Sequence, residues 1–158
     1  QEANEPSTEV VARLALAAAY RLQAETLKSV TPADDEEAAR LRAQAAQRFD
    51  QAIDELRLVI EPLEREEQYR LLAQAYATLG AAYLQYGQLL QLEGDRSGAV
   101  AGYESAREAY AGCMMQGERA PADDLLRSEI IDHEQNGCRR WAGVADEILQ
   151  ELDGGRDG

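Results

Sequence analysis

The sequence predicts an all-α protein of about five helices, arranged as antiparallel helical hairpins. Its residue mix favours helix, because Ala, Leu, Glu, Gln and Arg dominate and lose little rotamer freedom there. Apolar residues recur at spacings of three and four, which keeps them on one helix face. Four prolines and a Gly-Asp break divide the 158 residues into helix-sized segments.

The charge balance limits the kinds of partner that the chain could bind. Thirty acidic and sixteen basic residues give a formal net charge of −14 at pH 7. A surface of that sign repels the phosphates of nucleic acids and of anionic lipids, so we expect no nucleic-acid partner. No segment approaches the ~20 successive apolar residues of a membrane-spanning helix, so we expect a soluble domain without direct membrane insertion.

The start of the chain leaves its compartment open. The first residue is Gln1 rather than a methionine, so we expect that an upstream segment was removed, with a signal peptide or membrane anchor among the alternatives. Two cysteines neither require nor exclude an oxidising compartment.

Prolines mark the expected helix starts, because the missing N–H of proline is tolerated in a first turn. Pro6, Pro32, Pro62 and Pro121 each have this role in the prediction. Around Pro32, Thr31 is expected to cap the helix, and the acidic run 34–37 supplies negative charge at the positive end of the dipole. The predicted helices span residues 7–29, 32–60, 62–93, 97–115 and 121–152.

Three of these helices carry an apolar stripe that needs a packing partner. The stripes are Leu41, Ala45, Phe49, Ala52, Leu56 and Val59; then Ala99, Tyr103, Ala106 and Tyr110; and finally Trp141, Ala145, Ile148 and Leu152. We interpret the last region as one long helix that is weakened at Asn136 and Gly137, with two shorter helices as the alternative. Residues 1–152 are expected to form a single domain and residues 153–158 a flexible tail.

An internal repeat relates the two halves of the chain. The later copy consists of Tyr76, Leu79, Gly80 and Tyr83 on the third helix and Ala99, Tyr103 and Ala106 on the fourth. This pattern resembles the tetratricopeptide repeat (TPR) family, in which small residues let two antiparallel helices approach and aromatic residues fill the gaps beside them. A weaker first copy consists of Leu16, Ala17 and Tyr20 with Ala45, Phe49 and Ala52.

The resemblance implies a short α-solenoid of two stacked hairpins, with the last helix as its cap. In the family, the first helices of successive hairpins line a concave groove that takes a peptide or a partner helix. Matched residue by residue, that groove would be lined by Leu14, Ala18, Arg21 and Leu22 of the first helix and by Gln74, Ala77, Ala81, Leu84 and Gln85 of the third. This mostly apolar and neutral lining favours an apolar segment or helix as the ligand.

No catalytic, metal or cofactor site is evident in the sequence. His133 is the only histidine, and beside Asp132 and Glu134 we interpret it as a solvated helix residue. The acidic runs 34–37, 64–67 and 123–124 are placed in first turns, where the helix dipole favours carboxylates. We therefore predict a protein that is not an enzyme and needs no cofactor.

Cys113 and Cys138 leave three interpretations open. A straight last helix from Pro121 would carry Cys138 about 26 Å from the preceding turn, at 1.5 Å per residue. A disulfide needs Cα atoms within about 7 Å, so an intramolecular bridge requires the chain to fold back near Gly137. Free or buried thiols are the first expectation, that bridge the second, and an intermolecular bridge the third.

Together these observations predict a protein–protein interaction scaffold or adaptor whose partner is a protein or peptide. The alternative is a structural subunit, because stacked hairpins have open ends that can join copies into a dimer, a filament or a larger complex.

Overall fold

The computed structural model describes residues 5–121 and 136–154. Within these residues it contains five helices and no strand, which confirms the all-α prediction. The helices are α1 (Thr8–Ser29), α2 (Asp35–Arg65), α3 (Tyr69–Leu92), α4 (Arg96–Arg119) and α5 (Asn136–Gly154). Each helix packs on the next one along the chain, and α1 also contacts α3.

Contacts between neighbouring helices run in opposite chain directions, so the neighbours are antiparallel. In the α2–α3 pair, Arg57 contacts Tyr83 while Phe49, further back on α2, contacts Tyr86, further along α3. In the α4–α5 pair, Cys113 is bonded to Cys138 while Arg107 reaches Asp146. The fold is therefore a series of helical hairpins.

Side-chain caps explain where three of the helices begin. Ser7 Oγ accepts a hydrogen bond from the amide of Val10 at 3.2 Å, and Asp95 Oδ1 accepts one from Gly98 at 2.9 Å. At α2 the cap is Asp34 rather than the predicted Thr31, because Asp34 Oδ1 accepts from the Glu37 amide at 2.7 Å. Each cap satisfies an amide that has no partner within its own helix.

Replacing Asp34 with alanine should lower the free energy of unfolding by about 1 kcal/mol, because the Glu37 amide loses its acceptor. Urea denaturation followed by circular dichroism measures the change. Asp35→Ala is the matched control, since it removes a carboxylate from the same first turn but no cap, and we expect a loss of only a few tenths of a kcal/mol. Equal losses in both variants would contradict the capping role.

The predicted start of the third helix at Pro62 is wrong, because Pro62 lies inside α2. Val59 and Leu63 are both fully buried, so the apolar stripe of α2 continues past the proline and its packing offsets one lost backbone hydrogen bond. The turn comes instead at Glu66–Gln68, where Glu67 adopts a positive φ of 56°.

The predicted placement of the acidic run 64–67 in a first turn is wrong for the same reason. These residues lie at the end of α2 and in the turn that follows it, where the helix dipole does not favour carboxylates. Glu64 pairs with Arg119 at 3.0 Å and so links the ends of α2 and α4.

The stripes predicted on α2 and α4 form the core. Leu41 is half-buried, and all other members of those two stripes have at most 3% of their surface exposed. The stripe predicted on the last helix is wrong at Trp141, which is 45% exposed. Cys138, Ala142 and Ala145 face α4 instead, because the bond from Cys138 to Cys113 sets the rotation of α5.

Small residues bring α3 and α4 together. A Cβ added at Gly102 would lie 3.2 Å from the Cα of Gly87, so the two backbones touch there. Gly80 faces the ring of Tyr110, and Gly87 faces the ring of Tyr103. Gly80 and Ala99 are both buried, as the packing role predicted for them requires.

At matching positions, the two repeat copies have the same burial in their second helices but different burial in their first helices. Ala45, Phe49 and Ala52 are fully buried, as are Ala99, Tyr103 and Ala106 at the matching positions. On α1, Ala17 is buried like Gly80, but Leu16 is 40% exposed whereas Leu79 is 7% exposed. The predicted register of the first copy is therefore wrong at Leu16.

The first expectation for the cysteines, two unbonded thiols, is wrong. Cys113 and Cys138 form an intramolecular disulfide with a Cα–Cα distance of 6.3 Å. Cys138 lies on α5, which packs against α4. Residues 122–135, which would decide between one and two helices over 121–152, lie outside the described residues. His133, Asp123 and Asp124 belong to the same range. The last helix ends at Gly154, two residues beyond the predicted end.

Candidate partner-binding groove

Two adjoining depressions lie along the face shared by α1 and α3. The larger has a volume of about 400 Å³, and we call it the Trp141 pocket. It is lined by Arg21, Ala77, Thr78, Ala81, Leu84, Gln85, Tyr110, Gly137, Cys138 and Trp141. The second, of about 380 Å³, is lined by Leu14, Ala15, Ala18, Gln74, Ala77 and Thr78. Because the depressions share Ala77 and Thr78, they form one continuous groove.

The structure brings nearly all of the predicted partner-binding residues into this groove. Five of them line the Trp141 pocket: Arg21, Ala77, Ala81, Leu84 and Gln85. Leu14, Ala18 and Gln74, together with Ala77, line the second depression. Leu22 does not join them, because it is 53% exposed in a separate depression between α1 and α2.

Arg21 crosses from α1 to α3 at the wall of the pocket. One terminal nitrogen donates to Gln85 Oε1 at 3.3 Å and lies 3.5 Å from Glu25 Oε2. Its Nε is enclosed and has no hydrogen-bond partner among the described residues. The side chain is 23% exposed, so part of the guanidinium faces the groove.

Tyr110 reaches the groove from α4 because Gly80 has no side chain in its way. A Cβ at position 80 would meet the Tyr110 ring at 2.6–2.8 Å. Burial raises the pKa of Tyr110 to about 12, while the nearby Arg21 opposes that shift. The phenol therefore stays protonated at neutral pH and keeps its hydrogen-bond donor.

The far wall of the pocket belongs to α5, which the sequence assigned only to capping. Trp141 lies on the rim with nearly half of its surface exposed, and the Arg140 guanidinium lies 5.9 Å from the centre of its ring. The disulfide fixes this wall, because Cys138 both lines the pocket and is bonded to α4.

The groove residues that sequence reasoning missed are Ala15, Thr78, Tyr110, Gly137, Cys138 and Trp141. Trp141 fits the spacing of an apolar stripe, so the pattern alone predicts burial. The one signal that could have placed α5 here is the cysteine pair, because a bridge to Cys113 brings Gly137 and Cys138 next to α4. Tyr110 could have been inferred from its antiparallel position opposite Gly80.

Neither a metal site nor a membrane-spanning helix is present in the described residues. Within 5–121 and 136–154, no group of three or more His, Cys, Asp or Glu side chains could hold a metal ion. In the same part of the chain, no helix combines the length and the apolarity that crossing a bilayer requires.

Comparison with protein-family profiles, with curated proteins and with solved structures gave no match for this chain.

Proposed function

We propose that this protein is a protein–protein interaction scaffold that binds an apolar partner segment in the groove between α1 and α3. The observation that carries the proposal is the continuity of the two depressions, which gather residues of α1, α3 and α5 on one face. From Gln74 to Gln85 the groove follows α3 for about 16 Å, at 1.5 Å per residue. That length suits about three turns of a partner helix.

The lining of the groove supports a protein ligand. Ala77, Ala81 and Leu84 give an apolar floor, and Trp141 supplies a partly exposed aromatic side chain of the kind that dominates binding energy at interfaces. We further propose that the two hairpins and α5 form a TPR-like stack. The small-residue contact of α3 with α4 and the side-by-side position of α1 and α3 support this.

Photo-crosslinking tests the groove directly. With p-benzoylphenylalanine at Ala77, where the two depressions meet, we expect crosslinks to a partner protein in an extract of the source cells. The matched control carries the same group at Ala101, which is exposed on α4 and lines neither depression. Crosslinks of equal yield from both positions, or none from Ala77, would contradict the groove as the binding site.

A second candidate function, self-assembly, is favoured by an exposed apolar stripe on α1. Val11 is 47% exposed and Leu22 is 53% exposed, and they lie eleven residues, or about three turns, apart on one face. Exposed apolar side chains of this kind can pack against a second copy of the chain.

Light scattering coupled to size exclusion distinguishes the two functions. A mass that rises with concentration, and that returns to the monomer mass in the double variant Val11→Glu and Leu22→Glu, is the result expected of a structural subunit. A constant monomer mass together with crosslinks from Ala77 is the result expected of a scaffold.

A further inference from the structure

We infer that the Trp141 pocket binds an apolar side chain of the partner together with a neighbouring Asp or Glu carboxylate, which pairs with Arg21. This inference rests on the proposed function and adds the chemistry that the partner segment must carry. It predicts that the protein selects acidic, amphipathic helices, although its own net charge is −14.

The first argument is an unused donor. Arg21 Nε has no hydrogen-bond partner among the described residues, although it is enclosed by the protein. An enclosed polar group without a partner carries a desolvation cost that a bound acceptor removes. Because Nε is enclosed, the side chain must shift on binding before Nε and a terminal nitrogen can pair, as a planar fork, with the two oxygens of a carboxylate.

The second argument is charge. Among the described residues, those that line the pocket include one arginine and no Asp or Glu, and Arg140 lies beside the rim against Trp141. Within the described part of the chain, Arg21 pairs with the carboxylate of Glu25 at 3.5 Å, and the Glu25 side chain is 52% exposed. A pair so exposed is weak, so a carboxylate that enters from the groove can replace it.

The third argument is the shape of the apolar part. A volume of about 400 Å³ between Ala77, Ala81, Leu84 and Trp141 accepts one large apolar side chain. Because Arg21 lies on the wall of that same pocket, the carboxylate must lie close to the anchoring side chain on the same face of the partner helix. Arg21 is the one arginine among the described lining residues, which suits one side-chain carboxylate.

The test uses two synthetic helical peptides of about twelve residues, which equals about 18 Å of helix. Both are acetylated and amidated, and both carry leucines on one face, one glutamate and one glutamine. In the first peptide the glutamate adjoins the central leucine and the glutamine lies on the opposite face; in the second these two residues exchange places. Composition and net charge are therefore identical.

Trp141 reports binding at the pocket, because it is the only tryptophan in the chain. We expect its fluorescence titration to give at least about tenfold tighter binding for the peptide with the inward glutamate. In the Arg21→Gln variant this preference should fall below about threefold, and in Arg21→Lys it should be intermediate because the fork is lost while the charge remains. Circular dichroism checks that both variants fold.

Arg13→Gln is the matched control. It removes the same charge from the same helix, but Arg13 pairs with Glu9 and Glu55, away from the pocket. We expect the full preference for the inward glutamate to remain in this variant. If Arg13→Gln also loses the preference for the inward glutamate, the preference depends on net charge and not on Arg21. That result would overturn the inference.

Three further results would also overturn it: equal affinity of the two peptides, a preference that persists in Arg21→Gln, or no Trp141 response to either peptide at about millimolar concentration. A third peptide carries glutamine at both positions and a free C-terminal carboxylate. If only that peptide binds in an Arg21-dependent way, the acceptor is a chain terminus and the side-chain assignment fails. If any of these results is obtained together with crosslinks from Ala77, the groove is still supported as the binding site. Only the pairing of Arg21 with a partner carboxylate is then contradicted.

Discussion

Removing the Cys113–Cys138 disulfide, with both cysteines replaced by alanine, should lower the free energy of unfolding by about 3–4 kcal/mol. The bond closes a loop with a sequence separation of 25, and that constraint restricts the unfolded chain. It also holds α5 against α4, where the other buried residues of α5 are the small side chains Ala142 and Ala145. The remaining apolar contacts of α5 come from Ile148, Leu149 and Leu152, which are partly buried against the same core cluster.

Guanidinium denaturation followed by circular dichroism measures this loss. The control is the same double variant with a thiol reductant, which should lose no further stability, whereas the reduced native chain should approach the double variant. Alkylation in denaturant without reductant, followed by mass spectrometry, should detect no free thiol in the unsubstituted chain. A loss below about 1 kcal/mol, or two labelled cysteines, would contradict the bridge.

The Gly80→Ala substitution should destabilise the fold by about 1–3 kcal/mol, although alanine favours helix over glycine by about 1 kcal/mol. The added Cβ would lie 2.6 Å from Cε1 of Tyr110, so a ring that is 3% exposed has to move. Because Tyr110 also lines the Trp141 pocket, we expect the fluorescence of Trp141 to change in the same variant.

Gly143→Ala is the matched control for Gly80→Ala. Gly143 is an exposed helical glycine of α5, and a Cβ there meets nothing within 4 Å. We expect this variant to gain about 0.5–1 kcal/mol through helix propensity alone. Urea denaturation of both variants gives opposite signs if α3 and α4 approach as closely as the structure describes. Equal gains would contradict that approach.

The fold was predictable wherever one periodic pattern decided the structure. On α2 and α4, residues such as Phe49 and Tyr103 recur in step with the helix, and both are fully buried. The boundary at Pro62 could not be predicted, because a local rule for proline competed with the burial of Val59 and Leu63, and the burial outweighed it.

The candidate groove was predictable on two of the four helices that line it. The repeat pattern relates α1 to α3, and Arg21 and Gln85 do meet between them at 3.3 Å. The wall from α5 was not predictable, because the sequence does not specify whether Cys113 and Cys138 pair within the chain. Without the bond to Cys113, the rotation of α5 is undetermined, and Trp141 fits a buried stripe as well as it fits an exposed rim.

The enclosure of the disulfide has a kinetic consequence. Cys113 is fully buried and Cys138 is 2% exposed, so a small thiolate cannot approach either sulfur while α5 lies on α4. Reduction must then wait for local detachment of the last helix, and at saturating reductant its rate should level off at the rate of that detachment. The limiting rate of disulfide reduction therefore measures how often the last helix detaches from α4.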